Sequence, residues 1–165
     1  MAIKKEMLED LERRRQCIAG EQAKIEARHA KGLMTARERI AGLVDLGSFQ
    51  ESGAHVGHDV RGFGFEKKVL PGDGVVTGLG LVDGRPVSVI SQDFMVSGGS
   101  LGSRHARKMA ETMQQAIELG NPIISMNDSG GARIQEGVRS LAGYGQVFRA
   151  NVLASGVVPQ IALIA

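Results

Sequence analysis

Cysteine is nearly absent from this 165-residue chain, in which Cys17 stands alone. An internal disulfide and a zinc ribbon are therefore both excluded, and a reducing compartment suits the sequence, the cytoplasm by default. Tryptophan is missing and aromatic residues make up 4%, too few for a surface on which bases stack. The formal net charge is only +2, without the basic field of a nucleic-acid protein. No apolar run reaches membrane-spanning length, and none follows the opening residues Met1–Glu6, so neither a span nor a targeting segment is read. Nucleotide motifs are lacking too. There is no Walker sequence, and Gly78-Leu79-Gly80 has its third glycine misplaced and no helix after it.

What the chain has in excess is glycine: 23 residues, about twice the usual ~7%. Apolar residues at 42% and charged residues at 23% suit a single globular domain with a core. Two glycine pairs punctuate its second half. Pro122–Met126 reads as a short buried strand and leads into Asn127-Asp128-Ser129-Gly130-Gly131. Ile134, Val138, Leu141, Gly145, Phe148 and Val152 follow at spacings of four and three, which predicts a helix buried along that face. Gly156 ends it, and Pro159–Ala165 reads as the next buried strand, parallel to the first, with a right-handed crossover expected. Upstream, Gln92–Ser103 carries Gly98-Gly99 before a helix whose apolar face is Ala106, Met109, Ala110, Met113, Ala116 and Ile117, closed by Gly120. In such layered α/β units ligands bind beyond the carboxyl ends of the strands. A glycine turn there can hold a phosphate or a developing oxyanion, or be no more than a turn.

The first half is plainer. Residues 4–31 predict a long charged helix with a narrow stripe of Met7, Leu11, Ile18 and Ile25, supported by Glu9–Arg13 and Asp10–Arg14 pairs. So thin a face must lie along something else. Arg13-Arg14-Arg15 alternates with acidic residues and reads as a solvated face. Gly32 ends this helix, and Thr35-Ala36-Arg37-Glu38 is a capping box opening a short second one. Its buried side is read as Ile40, Leu43, Val44 and Leu46, with Gly47 closing it. Ser48–Gly74 reads as loop with short strands around Phe49 and Phe63. His55 and His58 lack a partner at metal-site spacing and are ordinary surface histidines, so no metal is expected. Val75–Val82 and Val87–Ser91 form an antiparallel hairpin around Asp83-Gly84-Arg85-Pro86.

Several runs together resemble the carboxyltransferase (β) subunits of biotin-dependent acyl-CoA carboxylases, whose relatives include transcarboxylase and the methylmalonyl-CoA decarboxylases. They are Lys31–Ile40, Gly72–Gly78, Gly98–Gly102, Asn127–Gly137, Ser140–Gly145 and Ala154–Ile161, in the family's order. The resemblance implies an α/β, crotonase-like fold. It divides the chain into a helical arm, 1–47, and part of an acyl-CoA-binding domain, 48–165. It further implies that the chain is about a third of a member and stops within a core strand. Members continue through a Gly-Pro-Cys-Ala-Gly-Gly segment into a biotin domain. The implied activity is carboxyl transfer between carboxybiotin and the α-carbon of a short-chain acyl-CoA. Released CO2 leaves a biotin enolate that takes the α-proton, so no side-chain base is required. The implied oxyanion donors are the backbones of Gly130, Gly131 and Ala132, with Gly98, Gly99, Ser100, Ser129 and Arg133 around the CoA thioester. The implied partners are a biotin carboxyl carrier protein, a biotin carboxylase and further copies of the chain in a hexamer. One departure stands out: Phe94-Met95-Val96-Ser97 replaces the family's Phe-Thr-Val-Phe. Two other readings remain: a non-catalytic CoA-binding or assembly module, and a crotonase-fold serine hydrolase using Ser129 with His105 as base, although a Gly-x-Ser-x-Gly elbow is absent.

Overall fold

The computed structural model describes residues 5–165. A mixed sheet of five strands runs in the order β1-β2-β3-β4-β5, comprising Gln50–Ser52, Val75–Val82, Arg85–Gln92, Ile123–Asn127 and Gln160–Ile164. The first three strands are antiparallel, while β3, β4 and β5 run parallel. Helices α1 (Lys5–Ala19), α2 (Gln22–His29) and α3 (Ala36–Leu43) precede the sheet. Helices α4 (Ser103–Leu119) and α5 (Val138–Ala154) make the crossovers from β3 to β4 and from β4 to β5. Parallel neighbours require such crossovers. The hairpin turn is tighter than the sequence suggests: Asp83 and Gly84 alone make it, both with positive φ, and Pro86 pairs within the ladder. That left-handed pair matches the twist of the strands it joins.

Side chains alternate across the sheet and build two cores. Val75, Ile90 and Ile123 meet α4 and α5 on one face. Val76, Val87, Val89, Ile124 and Met126 meet Ala36 and Ile40 of α3 on the other. Helix α3, within the expected 1–47 arm, therefore packs into the core of the sheet. Its capping box is present, with the Thr35 hydroxyl accepting from the Glu38 N–H and the Glu38 carboxylate from the Thr35 N–H. Leu46 lies outside that helix and is fully exposed. Gly20, at φ +94, breaks the expected long helix into α1 and α2. Phe63 lies in no strand; it is exposed in a loop with φ +55.

Helix α5 corrects the sequence reading most. Its buried residues are Ser140, Gly143, Val147, Ala150 and Ala154, while Ile134, Val138, Leu141, Phe148 and Val152 are exposed. The cause is close packing against α4: a Cβ on Gly143 would lie 2.7 Å from the Ala106 Cβ. At Gly143 nothing larger fits, so this face turns to the core and the larger apolar stripe points out. Strand β5 is likewise exposed along its whole length and not buried as its composition suggests. It forms one edge of the sheet.

Candidate active site

Two loops leave the carboxyl ends of β3 and β4, and each carries one of the glycine pairs. The structure stitches them together. Gly130 N–H donates to Gly98 O at 2.8 Å, Leu101 N–H to Gly131 O at 2.8 Å, and Arg133 N–H to Leu101 O at 3.0 Å. Ser129 Oγ donates to Gly99 O at 2.7 Å, and Leu101 and Ala132 form a one-residue parallel bridge. Gly99 permits this approach, since a Cβ there would sit 2.2 Å from the Asp128 carbonyl oxygen. Gly131 turns the second loop at φ +103, where other residues are strained.

Two of the three expected oxyanion donors are already engaged: the Gly130 N–H by Gly98, and the Gly131 N–H by Ser129 Oγ at 3.1 Å. The bridge uses the Gly131 carbonyl and the Arg133 N–H, so the N–H of Ala132, between them, faces away from the Leu101 loop. Among the described residues it has no acceptor. Ser129 and Gly130 are exposed, and Gly131 and Ala132 half-buried. Beside them opens a cleft of about 350 Å³, lined by Gln92, Asn127, Ser129, Tyr144, Phe148 and Ile161 among others.

Arg133 is placed differently from expectation. Its side chain is wholly buried, and its guanidinium donates to Asp73, to Glu136 at 3.1 Å and to Ser100 O at 2.8 Å. It cannot reach a CoA phosphate. Ser100 shares this internal role, its hydroxyl lying 3.3 Å from Arg133 Nε. The same carboxylates cap α4: Glu136 accepts the Ser103 N–H at 2.7 Å, and Asp73 the His105 N–H at 2.8 Å. A first helical turn satisfied by buried carboxylates has those donors filled, which weighs against a phosphate at this glycine turn. Lys108 anchors the Gly72–Gly74 turn from below, donating to Gly72 O at 3.0 Å and Val75 O at 2.5 Å, and burial lowers its pKa to about 8.

His105 does not serve Ser129. Its Nδ1 lies 3.0 Å from Asp73 O and its Nε2 3.3 Å from the Gln92 amide nitrogen. Both contacts are satisfied by one neutral tautomer, with the proton on Nδ1. Burial lowers its pKa to about 3. With both ring nitrogens occupied and Ser129 donating to a backbone carbonyl, the serine-hydrolase reading fails on geometry. His58, too, is a loop residue, with Nε2 2.9 Å from Lys68 O.

The sequence reading missed Asp128 and the arginines that hold it. Arg28 Nη2 and Arg39 Nη1 donate to the same Asp128 oxygen at 2.7 and 2.9 Å. A signal for Arg39 was present: with Ala36 and Ile40 it lies on one helical face, so a cation stood at a core position.

A model of the carboxyl transferase domain matches residues 27–165. The chain belongs to the carboxyl transferase family. It is 56% identical to the mitochondrial propionyl-CoA carboxylase beta chain of Homo sapiens over 154 residues, 92% of this chain and 29% of the relative. It is 49% identical to the methylmalonyl-CoA decarboxylase subunit alpha of Propionigenium modestum, over 99% of this chain and 32% of the relative. The carboxyl transferase fold is confirmed by transcarboxylase 12S, solved as a hexamer with methylmalonyl-CoA bound, at TM-score 0.93 and 51% identity. That comparison covers 100% of this chain and 33% of the solved one. The fold is thus crotonase-like, and the chain spans about a third of the length of these relatives.

Proposed function

We propose that this chain provides the acyl-CoA side of a biotin-dependent carboxyltransferase acting on a short-chain acyl-CoA such as propionyl-CoA. The observation that carries the reading is the stitched pair of glycine loops, with the Ala132 N–H unengaged at the carboxyl ends of the parallel strands. Carboxylation of a thioester requires negative charge to build on its oxygen while the α-carbon loses a proton and bonds to carbon dioxide. A preorganised backbone donor stabilises that charge with little reorganisation, and losing one typically lowers the rate by ~10²–10³. Ala132 is the donor in this reading. Gly130 and Gly131 shape its loop through their own hydrogen bonds, Gly98 and Gly99 form the opposing wall, and Ser129 ties the two. Ser100 and Arg133 hold the loop from beneath. Carboxybiotin, presented by a carrier protein, supplies the carboxylate. The proposed partners are that carrier, a biotin carboxylase and further copies of the chain; the hexamer of transcarboxylase 12S supports the last. The proposed compartment is the cytoplasm, in keeping with the free thiol of Cys17.

The test is transfer of a radiolabelled carboxyl group from methylmalonyl-CoA to biotin by the complete product of the gene. Gly131→Val is the informative variant, because valine is strained at φ +103 while its Cβ meets nothing within 4 Å. The fold is expected to survive and transfer to fall by at least ~10². Normal turnover in that variant overturns the assignment. Binding of CoA thioesters without transfer by the parent protein favours the binding-module reading.

A further inference from the structure

Asp128 immediately precedes Ser129-Gly130-Gly131-Ala132, yet its carboxylate points back toward the amino-terminal helices. One of its oxygens receives Arg28 of α2 at 2.7 Å and Arg39 of α3 at 2.9 Å. All three side chains are about nine-tenths buried. Each arginine is fixed at a second point: Arg28 Nε donates to Met34 O at 3.1 Å, and Arg39 Nη2 to Gln92 O at 2.5 Å. Arg28 also lies over the Phe94 ring, 5.9 Å from its centroid. The backbone of Asp128 is held as well, its N–H donating to Gln92 Oε1 at 3.1 Å. Its carbonyl oxygen occupies the space that a side chain on Gly99 would need.

We infer that Asp128, gripped by Arg28 and Arg39, is a positioning residue for the donor loop, through which α2 and α3 govern the reactivity of a site they do not line. The inference rests on the proposed carboxyl transfer. Two guanidinium groups on one buried carboxylate oxygen are a poor means of stabilisation, because desolvating the charges offsets their attraction. Even with Asp93 near the same arginines, the arrangement is charge-dense for a core. What it does supply is direction. Two charge-assisted bonds from separate helices restrict where Asp128 sits, and Ser129 and the bridge to Leu101 restrict the loop beyond it. Ala132 N–H is thereby fixed at both ends: by Asp128 on one side and by the buried Arg133 on the other. A misplacement of the donor by ~1 Å is enough to lower a rate ~100-fold.

The experiment uses the complete gene product with Arg28→Lys, Arg39→Lys and Asp128→Asn, and Arg107→Gln as a control in an exposed ion pair with Glu111. The lysines keep the charge but lose the second fixed point. They provide the test should Asp128→Asn, which leaves two cations facing a neutral amide, fail to fold. Three quantities are read: kcat and KM for the acyl-CoA in carboxyl transfer, melting temperature, and amide hydrogen exchange. Each lysine variant is expected to lose ~10–100-fold in kcat with acyl-CoA KM within about twofold. Exchange is expected to quicken at residues 128–133 while amides of β2–β4 and α4 hold their protection. Arg107→Gln should match the parent. Unchanged kcat in both lysine variants overturns the inference. So does a loss that tracks general unfolding, with exchange raised throughout the core. If the parent protein transfers no carboxylate, the functional reading fails and exchange decides alone: an unaltered loop in the lysine variants refutes positioning.

Discussion

Burial of His105 should make this protein lose stability as pH falls, before most exposed carboxylates are protonated and against the smaller opposite pull of the buried Asp73 and Asp93, whose pKa values burial raises. The imidazole is fully buried, with one nitrogen facing the Asp73 carbonyl and the other the Gln92 amide N–H. Burial lowers its pKa to about 3 from 6.5, while the unfolded chain titrates near the ordinary value. Between those limits the unfolded state binds one proton more than the folded state, so stability falls as pH falls. Across that window the proton imbalance removes stability on the order of several kcal/mol. Total stabilities of ~5–15 kcal/mol make that decisive. The damage has a direction, too. A proton on Nε2 would confront the Gln92 N–H donor, and reversing that amide would remove the oxygen that accepts the Asp128 N–H. The assay is urea unfolding of the parent and of His105→Gln at pH 7, 6, 5 and 4. Glu38, whose pKa is lowered to about 2 by the Thr35 backbone N–H and then by His29, loses its contribution below its ordinary value in both proteins. The difference between the curves isolates His105. The parent should lose stability more steeply below pH 6, converging on the variant; parallel curves would refute the reasoning.

Two further substitutions address the site's supports. Arg133→Met leaves Asp73 and Glu136 buried without their cation and should destabilise by ~3–5 kcal/mol in urea unfolding; a loss under ~1 kcal/mol would show that this cluster is not an anchor. Gly99→Ala places a Cβ 2.2 Å from the Asp128 carbonyl oxygen at φ +61, so it should separate the two loops and raise amide exchange at residues 128–133; unchanged protection there would contradict the stitching.

Much of the fold was legible because its local signals agree with its tertiary ones. The Thr35–Glu38 capping box, the Val75–Val82 hairpin arm, the apolar face of α4 and the glycine ending it all recur in the structure. Family resemblance added the crotonase-like frame, which the 12S transcarboxylase match bears out. What sequence periodicity could not supply was which of two helical faces turns inward. In α5 the stripe of larger residues outscored the stripe Ser140, Gly143, Val147, Ala150 and Ala154, yet the close approach of α4 selects the smaller one. The candidate site was legible only in part, for a similar reason. Gly98-Gly99 and Ser129–Ala132 were visible singly, but their union depends on pairing across 30 residues, and Arg28–Asp128 on contact across 100. The family resemblance implies Arg133 near the CoA thioester; the positions of Asp73 and Glu136, remote in sequence, make it a buried strut.

The inverted helix carries a consequence for this chain in solution. Val138, Leu141, Phe148 and Val152 are 60% to 77% exposed and follow one another along α5. Ile161, Leu163 and Ile164 are exposed on the neighbouring edge strand. Exposed apolar surface of this kind marks an interaction site or an aggregation liability. Full burial of such a side chain from full exposure gains roughly 1.5–3 kcal/mol, so covering the part of the four that α5 leaves exposed offers on the order of 4–8 kcal/mol. Association itself costs an estimated 4–15 kcal/mol, so the helix face alone is marginal. Among the described residues the outer edge of β5 pairs with no strand, so its backbone groups are a second surface that another copy can pair with. Self-association of residues 1–165 is therefore expected by ~100 µM, where a standard free energy near −5 to −6 kcal/mol suffices. Sedimentation velocity across a concentration series measures it. Leu141→Lys with Val152→Lys should shift the protein toward monomer and leave its melting temperature within a few degrees, because both side chains lie on the exposed face. A parent chain that stays monomeric at ~100 µM would refute the expected association, and a double variant that melts like a core mutant would show that this face packs inward after all.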